Sequence, residues 1–238
     1  MGNRFIEKLR GFAQLSDAEV DALELVTAHP RAYGVRKDLI REGDRPGPVL
    51  VMLEGWAFRY KVLPSGSRQI MAFLMPGDAC DLHIGMLAEM DHSIQTVTNS
   101  SVATIPRAQM DEVMETHPGI ARAMYISQLV DEGTLRAWIV SLGRRTSIER
   151  VAHLVLELFL RAVRIGLCDG NAMDLPLSQA VLADALGMTP VHINRILQEL
   201  RRSGAIELRR GVLRIQDAAA LTQISGFDAN YLHKRMRQ

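Results

Sequence analysis

Apolar positions change their spacing several times along this chain, and each change predicts a different element. In SDAEVDALELVTA (16–28) a serine precedes Asp17 and Glu19, and apolar residues recur at Val20, Leu23 and Leu25/Val26. That spacing predicts a helix with an acidic first turn. From Tyr33 to Pro106, short apolar runs (VLVMLEGWAFRYKVL, RQIMAFLMP, SSVATIP) alternate with the turn sequences EGDRPGP, PSGS, MPGD and TNSS. Short strands punctuated by glycine and proline predict a β-sandwich or jelly roll. After His117-Pro118-Gly119 the punctuation nearly stops. A helix from about Ile120 to Leu142 would be about 35 Å long at 1.5 Å per residue. Within it Ala123, Ile126, Val130, Gly133, Ala137 and Val140 fall at alternating spacings of three and four. This is a heptad seam of mainly small residues, flanked by Leu129, Trp138 and Ile139, and it predicts a dimer stalk. Gly143 reads as a break. TSIERVAHLVLELFLRA then restarts a helix with Thr146 as N-cap and Glu149 three residues on, a capping box, and GLCDGNAMDLP reads as a loop.

The last third has a more specific grammar. Ser178 can cap a short helix, QAVLADAL, and Gly187 can take the positive φ that ends it. Thr189 can cap the next helix, with Pro190 at its first position, where the missing N–H costs nothing. Gly204 ends that second helix. Two helices joined by a short turn containing glycine match a helix-turn-helix, and Ala183 supplies the small side chain needed where they cross. In the second helix Ile193, Ile196, Leu197 and Leu200 form an inner face, opposite His192, Asn194, Arg195, Gln198, Arg201 and Arg202. AIELRRGVLRI follows, two short alternating runs around Arg209-Arg210-Gly211. It reads as the basic hairpin, or wing, of a winged helix placed to touch phosphate.

Charge supports this reading modestly. The 238 residues carry a net charge of only +1, but from Arg144 onward 14 Lys/Arg face 9 Asp/Glu, leaving 14 against 18 before it. A basic C-terminal third is the footprint of nucleic-acid contact. Apolar residues make up 47% of the chain, yet no run of about 18 exists to cross a membrane. MGNRFIEKLRGF lacks the apolar stretch of a secretion signal. Cys80 and Cys168 are too few for a disulfide framework or a four-thiolate cluster, so a reduced cytoplasm is the expected compartment. No G-x-S-x-G, H-E-x-x-H or Walker loop is present, and no enzyme is expected.

With these residues in place, the chain resembles the cyclic-AMP receptor protein/FNR (Crp/Fnr) family of bacterial transcription regulators along nearly its whole length. EGDRPGPVLVMLEGWAFRY and PSGSRQIMAFLMPGD are similar to its sensor, and residues around 120–142 to its dimer helix. LSQAVLADALGMTPVHINRILQELRRSGAIELRRGVLRI is similar to its helix-turn-helix and wing, and is the most specific part. The resemblance implies an α+β fold: a jelly-roll sensor domain of the cyclic-nucleotide-binding type (1–110), a dimerisation helix (111–143) and a winged helix-turn-helix (144–238). It also implies a homodimer on a two-fold site in double-stranded DNA, contact with RNA polymerase, and a small effector of unknown identity.

Carried over by position, Arg195 matches the family's arginine, able to bond guanine O6 and N7, and Asn194 beside it can read adenine. Thr189 and His192 match phosphate-holding positions, Gln179 starts the preceding helix, and Arg209 and Arg210 tip the wing. Val191 stands where a glutamate is common. It cannot accept from cytosine N4, so the family's usual half-site is not expected. The sensor departs further. Members that bind cyclic AMP carry a Glu and an Arg after the GD turn, whereas PGDACDLHIGMLAEMDHSIQTV offers Asp81, Leu82 and His83, then His92 and Ser93, as candidate effector-pocket residues. A buried phosphate without a cation is costly, so tight cyclic-AMP binding is not expected. No cofactor or metal is expected either. An alternative of the same fold is a haem- or redox-responsive regulator using Cys80 and His83 as iron ligands. Another is a cyclic-nucleotide-type interaction module that binds no DNA.

Overall fold

Short alternating runs joined by glycine turns build the first part of the molecule. The computed structural model describes residues 2–80, 82 and 87–232. It divides the chain into two units, Met1–Ser67 with Ala72–Leu129, and Arg68–Met71 with Val130–Gln238.

Along the first part of the chain, α1 (Arg4–Arg10) and α2 (Asp17–Thr27) precede strands β1 (Arg31–Tyr33), β2 (Asp38–Ile40), β3 (Val49–Glu54), β4 (Ala57–Val62), β5 (Arg68–Leu74, of which Ala72–Leu74 belong to the first unit), β6 (Ala79–Cys80), β7 (Ser93–Thr96) and β8 (Ser100–Ile105). They form two four-stranded antiparallel sheets, ordered β1-β8-β3-β6 and β2-β7-β4-β5. Because side chains alternate along a strand, both sheets contribute to one core, with Leu50, Met52, Cys80 and Val102 from the first and Ala57, Leu74 and Ile94 from the second. This is the jelly roll.

The turn MPGD is locked by α1. Gly77 holds φ at 93°, and a Cβ there would come within 2.7 Å of the Arg4 carbonyl. Lys8 Nζ meets Asp78 Oδ1 at 2.7 Å in a buried pair, while Asp78 Oδ2 accepts from the Met75 amide. Ser16 and Glu19 form the capping box of α2. Glu19 also accepts from the Gly119 amide at 2.7 Å, at the first turn of α4 (Pro118–Arg144). Its carboxylate sits where the helix dipole is positive, and the amides of Ser16, Gly119 and Ile120 hold it below the ordinary glutamate range. An element not read from the pattern, α3 (Arg107–Thr116), separates β8 from α4.

The stalk helix does not break at Gly143, which lies exposed within α4; the break comes at Arg145, before the cap Thr146. Its small-residue seam is largely covered by the chain itself. Ala123, Ile126 and Val130 are buried, and a Cβ on Gly133 would meet the Tyr231 carbonyl at 2.7 Å. Of the six seam positions only Val140 is exposed, whereas Tyr125, Leu129, Leu135 and Ile139 stand out in solvent.

In the second unit, α5 (Ser147–Arg164) begins with Glu149 accepting from the Thr146 amide at 2.7 Å. The segment read as a loop is instead a small hairpin, β9 (Cys168–Asp169) and β10 (Ala172–Asp174). Gly170 turns it at φ 58°, and Ala172 and Met173 are buried. Next come α6 (Gln179–Leu186), α7 (Pro190–Arg202), β11 (Ile206–Arg209), β12 (Val212–Ile215), α8 (Ala218–Ser225) and a 3₁₀ turn (Ala229–Leu232). The sheet order is β11-β12-β10-β9.

Candidate nucleic-acid interface

Caps fix the two crossing helices. The Ser178 hydroxyl accepts from the Val181 amide to start α6, and Gly187 ends it at φ 62° with its N–H on the Ala183 carbonyl. Thr189 then accepts from the His192 amide at 3.2 Å to start α7, with Pro190 next. Ala183 and Ala185 are buried, and α6 packs on α7. Arg150, on α5, pins this unit: its Nη1 donates to the Leu186 carbonyl at 2.8 Å and its Nη2 to the Arg145 carbonyl at 3.2 Å. Sequence reasoning missed this role, although an arginine entering an apolar helix was a signal.

Ile193, Ile196, Leu197 and Leu200 are buried. At 100° per residue, Val191, Asn194, Arg195, Gln198 and Arg202 fall together on the opposite side, and all are exposed, Val191 by 81%. Thr189 and Gln179 are exposed as well. Gln198, which was not among the expected readers, lies 3.4 Å from Asn194. His192 sits at the edge of this face. It is half-buried: its Nε2 is enclosed without a hydrogen-bond partner and its Nδ1 lies 3.4 Å from Arg195 Nη2. That separation is too long to fix the arginine, so Arg195 keeps its donors for another acceptor.

The hairpin beside it turns through Arg210 and Gly211, at φ 51° and 82°. Two successive positive φ values make the tight turn that matches strand twist. Arg209 is exposed and pairs with Glu207 at 2.8 Å. Between α7 and the hairpin runs a groove of about 560 Å³ lined by Gln198, Arg201, Arg202 and Arg209. An exposed polar helix face, a basic groove and a basic hairpin tip together suit a phosphate-lined partner.

Two family models match the chain: the cyclic nucleotide-binding domain over residues 30–117 and the Crp-like helix-turn-helix domain over residues 149–224. A "Probable transcriptional activator" of Rhizobium leguminosarum bv. viciae is 30% identical over 173 residues, 72% of this chain and 70% of that protein. The chain belongs to the Crp/Fnr family. Another relative, the transcriptional activator protein FnrL of Cereibacter sphaeroides, is 26% identical over 225 residues, 92% of this chain and 88% of its own. The structure of FixK2 from Bradyrhizobium japonicum shares the fold, with a TM-score of 0.73 at 24% identity over 84% of this chain and 98% of that one. As a Crp/Fnr protein the chain is a DNA-binding transcription regulator with a cyclic-nucleotide-type domain, and not an enzyme. No helix among the described residues is long and apolar enough to cross a membrane.

The candidate effector residues of this Crp/Fnr chain are only partly described. Asp81 and His83 lie outside the described residues. Leu82 gives its carbonyl to Arg107 Nη1 at 3.1 Å. His92 is buried between Asp91, 2.6 Å from its Nδ1, and Arg59, whose Nε donates to its Nε2 at 3.1 Å. The hydrogen bond to His92 holds the Asp91 carboxyl below its ordinary value. The Ser93 hydroxyl accepts from the Glu42 amide at 2.9 Å. Both side chains are therefore engaged in holding the jelly roll. Cys80 lies fully buried in the core between the sheets.

Proposed function

We propose that this regulator works as a cytoplasmic homodimer that lays α7 of each copy in successive major grooves of a two-fold DNA site. Those grooves are ~34–36 Å apart. Arg195 and Asn194 read base edges, Val191 meets a thymine methyl, and Gln179, Thr189, His192, Arg209 and Arg210 hold phosphates. The observation carrying this reading is the exposed face of Val191, Asn194, Arg195 and Gln198 opposite a buried apolar one. The second copy packs on the exposed row of α4, Tyr125, Leu129, Ile139 and Val140, continuous with the one seam residue left in solvent. RNA polymerase is the further partner. The effector is a small molecule other than cyclic AMP, since the Glu and Arg expected to grip its ribose and phosphate are missing.

Genome-wide footprinting of the bound chain, followed by anisotropy titrations on the recovered sites, tests the reading. Two-fold sites whose affinity falls steeply with salt are expected, because neutralised phosphates release counterions. Salt-independent binding, or micromolar affinity for cyclic AMP by calorimetry, would overturn it.

A further inference from the structure

A cavity of about 400 Å³ opens at the lower end of the stalk, within the second unit. Small residues of α4, Gly133 and Ala137, line it with Val140, and Tyr231 of the 3₁₀ turn faces them. His153 of α5 and Arg145, at the α4–α5 junction, complete the wall. Its size falls within the range of small-molecule pockets.

Two side chains that line this cavity carry nitrogens without an acceptor. His153 is only 2% exposed. Its ring stacks on Tyr231 with centroids 5.8 Å apart and tilts against Phe227 at 4.8 Å, but its nitrogens make no hydrogen bond among the described residues. Arg145 donates through Nε to the Ser225 carbonyl at 3.3 Å, while its Nη1 is buried without a partner. A buried guanidinium N–H left unpaired is costly, and a small turn of the Arg145 side chain toward a ligand oxygen in the cavity would relieve that cost. Asp228, the acid at the rim, already accepts from the Asn230 amide at 2.9 Å.

We propose that this cavity binds a small organic monocarboxylate, its carboxylate on Arg145 and His153 and its apolar body on Gly133, Ala137 and the Tyr231 ring. Charge-assisted hydrogen bonds from a guanidinium are the strong kind, and the apolar lining favours an aromatic or short aliphatic body over phosphate alone. Such a ligand would brace the junction between stalk and DNA-binding helices. That consequence rests on the DNA-reading proposal above; occupancy does not, so the test is made without DNA.

The chain has two tryptophans, Trp56 and Trp138. Trp138 donates to Glu157 at 3.1 Å, and Glu157 also accepts from the Tyr231 hydroxyl at 2.8 Å. A 5-fluorotryptophan-labelled full-length chain, assigned with Trp56→Phe, therefore places a reporter behind the cavity and a control in the jelly roll. Benzoate and hexanoate are expected to move the Trp138 resonance saturably at up to millimolar concentration, leaving Trp56 still. Benzyl alcohol and inorganic phosphate are expected to move neither. Arg145→Gln should weaken benzoate binding about tenfold or more. Isosteric Asn230→Asp, exposed at the rim and safe for folding, should weaken it several-fold by charge alone. The proposal is overturned if neither carboxylate moves Trp138, if Trp56 responds instead, or if Asn230→Asp binds as the parent does.

Discussion

Helices α4 and α7 both announce themselves by apolar periodicity, and the structure uses the two patterns in opposite ways. In α7 the apolar stripe turns inward and the polar face is left to solvent, so one period predicts both sides. In α4 the stripe of small residues also turns inward, toward the chain's own segments, while large apolar residues such as Ile139 stand exposed. Gly133 is small because the chain passes over it at Tyr231, not because a second helix does. A period states that a face is covered; only the tertiary structure states by what.

Four measurements test this contrast. The largest effect is expected on the inner face of α7: Leu200, fully buried, should cost about 2–5 kcal/mol on truncation to alanine, read by urea unfolding. A smaller loss would mean that the inner face is not a packed core.

Next comes the segment that covers α4. Burial, then the nearby Arg145 guanidinium, hold the His153 imidazole down to about 4 from its ordinary 6.5. The unfolded chain takes up that proton near pH 6.5, while the folded chain refuses it until about pH 4. Stability due to His153 is thus intact above pH 6.5 and lost on acidification, by about 3 kcal/mol in all. Glu157, raised mainly by burial, works the other way as pH rises, so the quantity to follow is the difference between the parent and His153→Phe. A flat difference between pH 4 and 6.5 would place His153 in water.

On the outer face of α7, Arg195→Ala should leave unfolding unchanged and cost ~1–3 kcal/mol in DNA affinity, relaxing one base position. Unchanged affinity for the chain's own site would remove α7 from the groove. The smallest effect on the fold is expected at the outer face of α4. Ile139→Ser, at a residue 70% exposed, should change stability by less than about 0.5 kcal/mol yet shift sedimentation toward monomer. If association is untouched, the second copy sits elsewhere.

What was legible in the sequence was whatever has a local cause. Ser178, Gly187, Thr189 and Pro190 mark their boundaries by cap chemistry confined to a few neighbours, and all four stand where they were expected. The Arg209-Arg210-Gly211 hairpin was readable for the same reason. The β9–β10 hairpin was missed because strands of two and three residues are too short to alternate. The stalk's break was put at Gly143 although α4 runs on to Arg144, since an exposed glycine costs a helix only about 1 kcal/mol. The Trp138–Glu157–Tyr231 cluster joins residues up to 93 positions apart in number, which no local pattern encodes. Within HLVLELF, the polar His153 and Glu157 among apolar neighbours were the available hint.

Lys8 and Glu19 carry a consequence for synthesis. The partner of Lys8 lies 70 residues further on, and the amide held by Glu19 lies 100 further on. Synthesis exposes these two side chains well before their partners, Asp78 and the Gly119 amide, are made. α6 and α7, by contrast, draw their caps from residues three positions away, so those bonds are available almost as soon as the segment is made. The opening helices therefore wait beside the nascent jelly roll, and a stalled chain shorter than about 119 residues would leave Glu19 with only its own capping box.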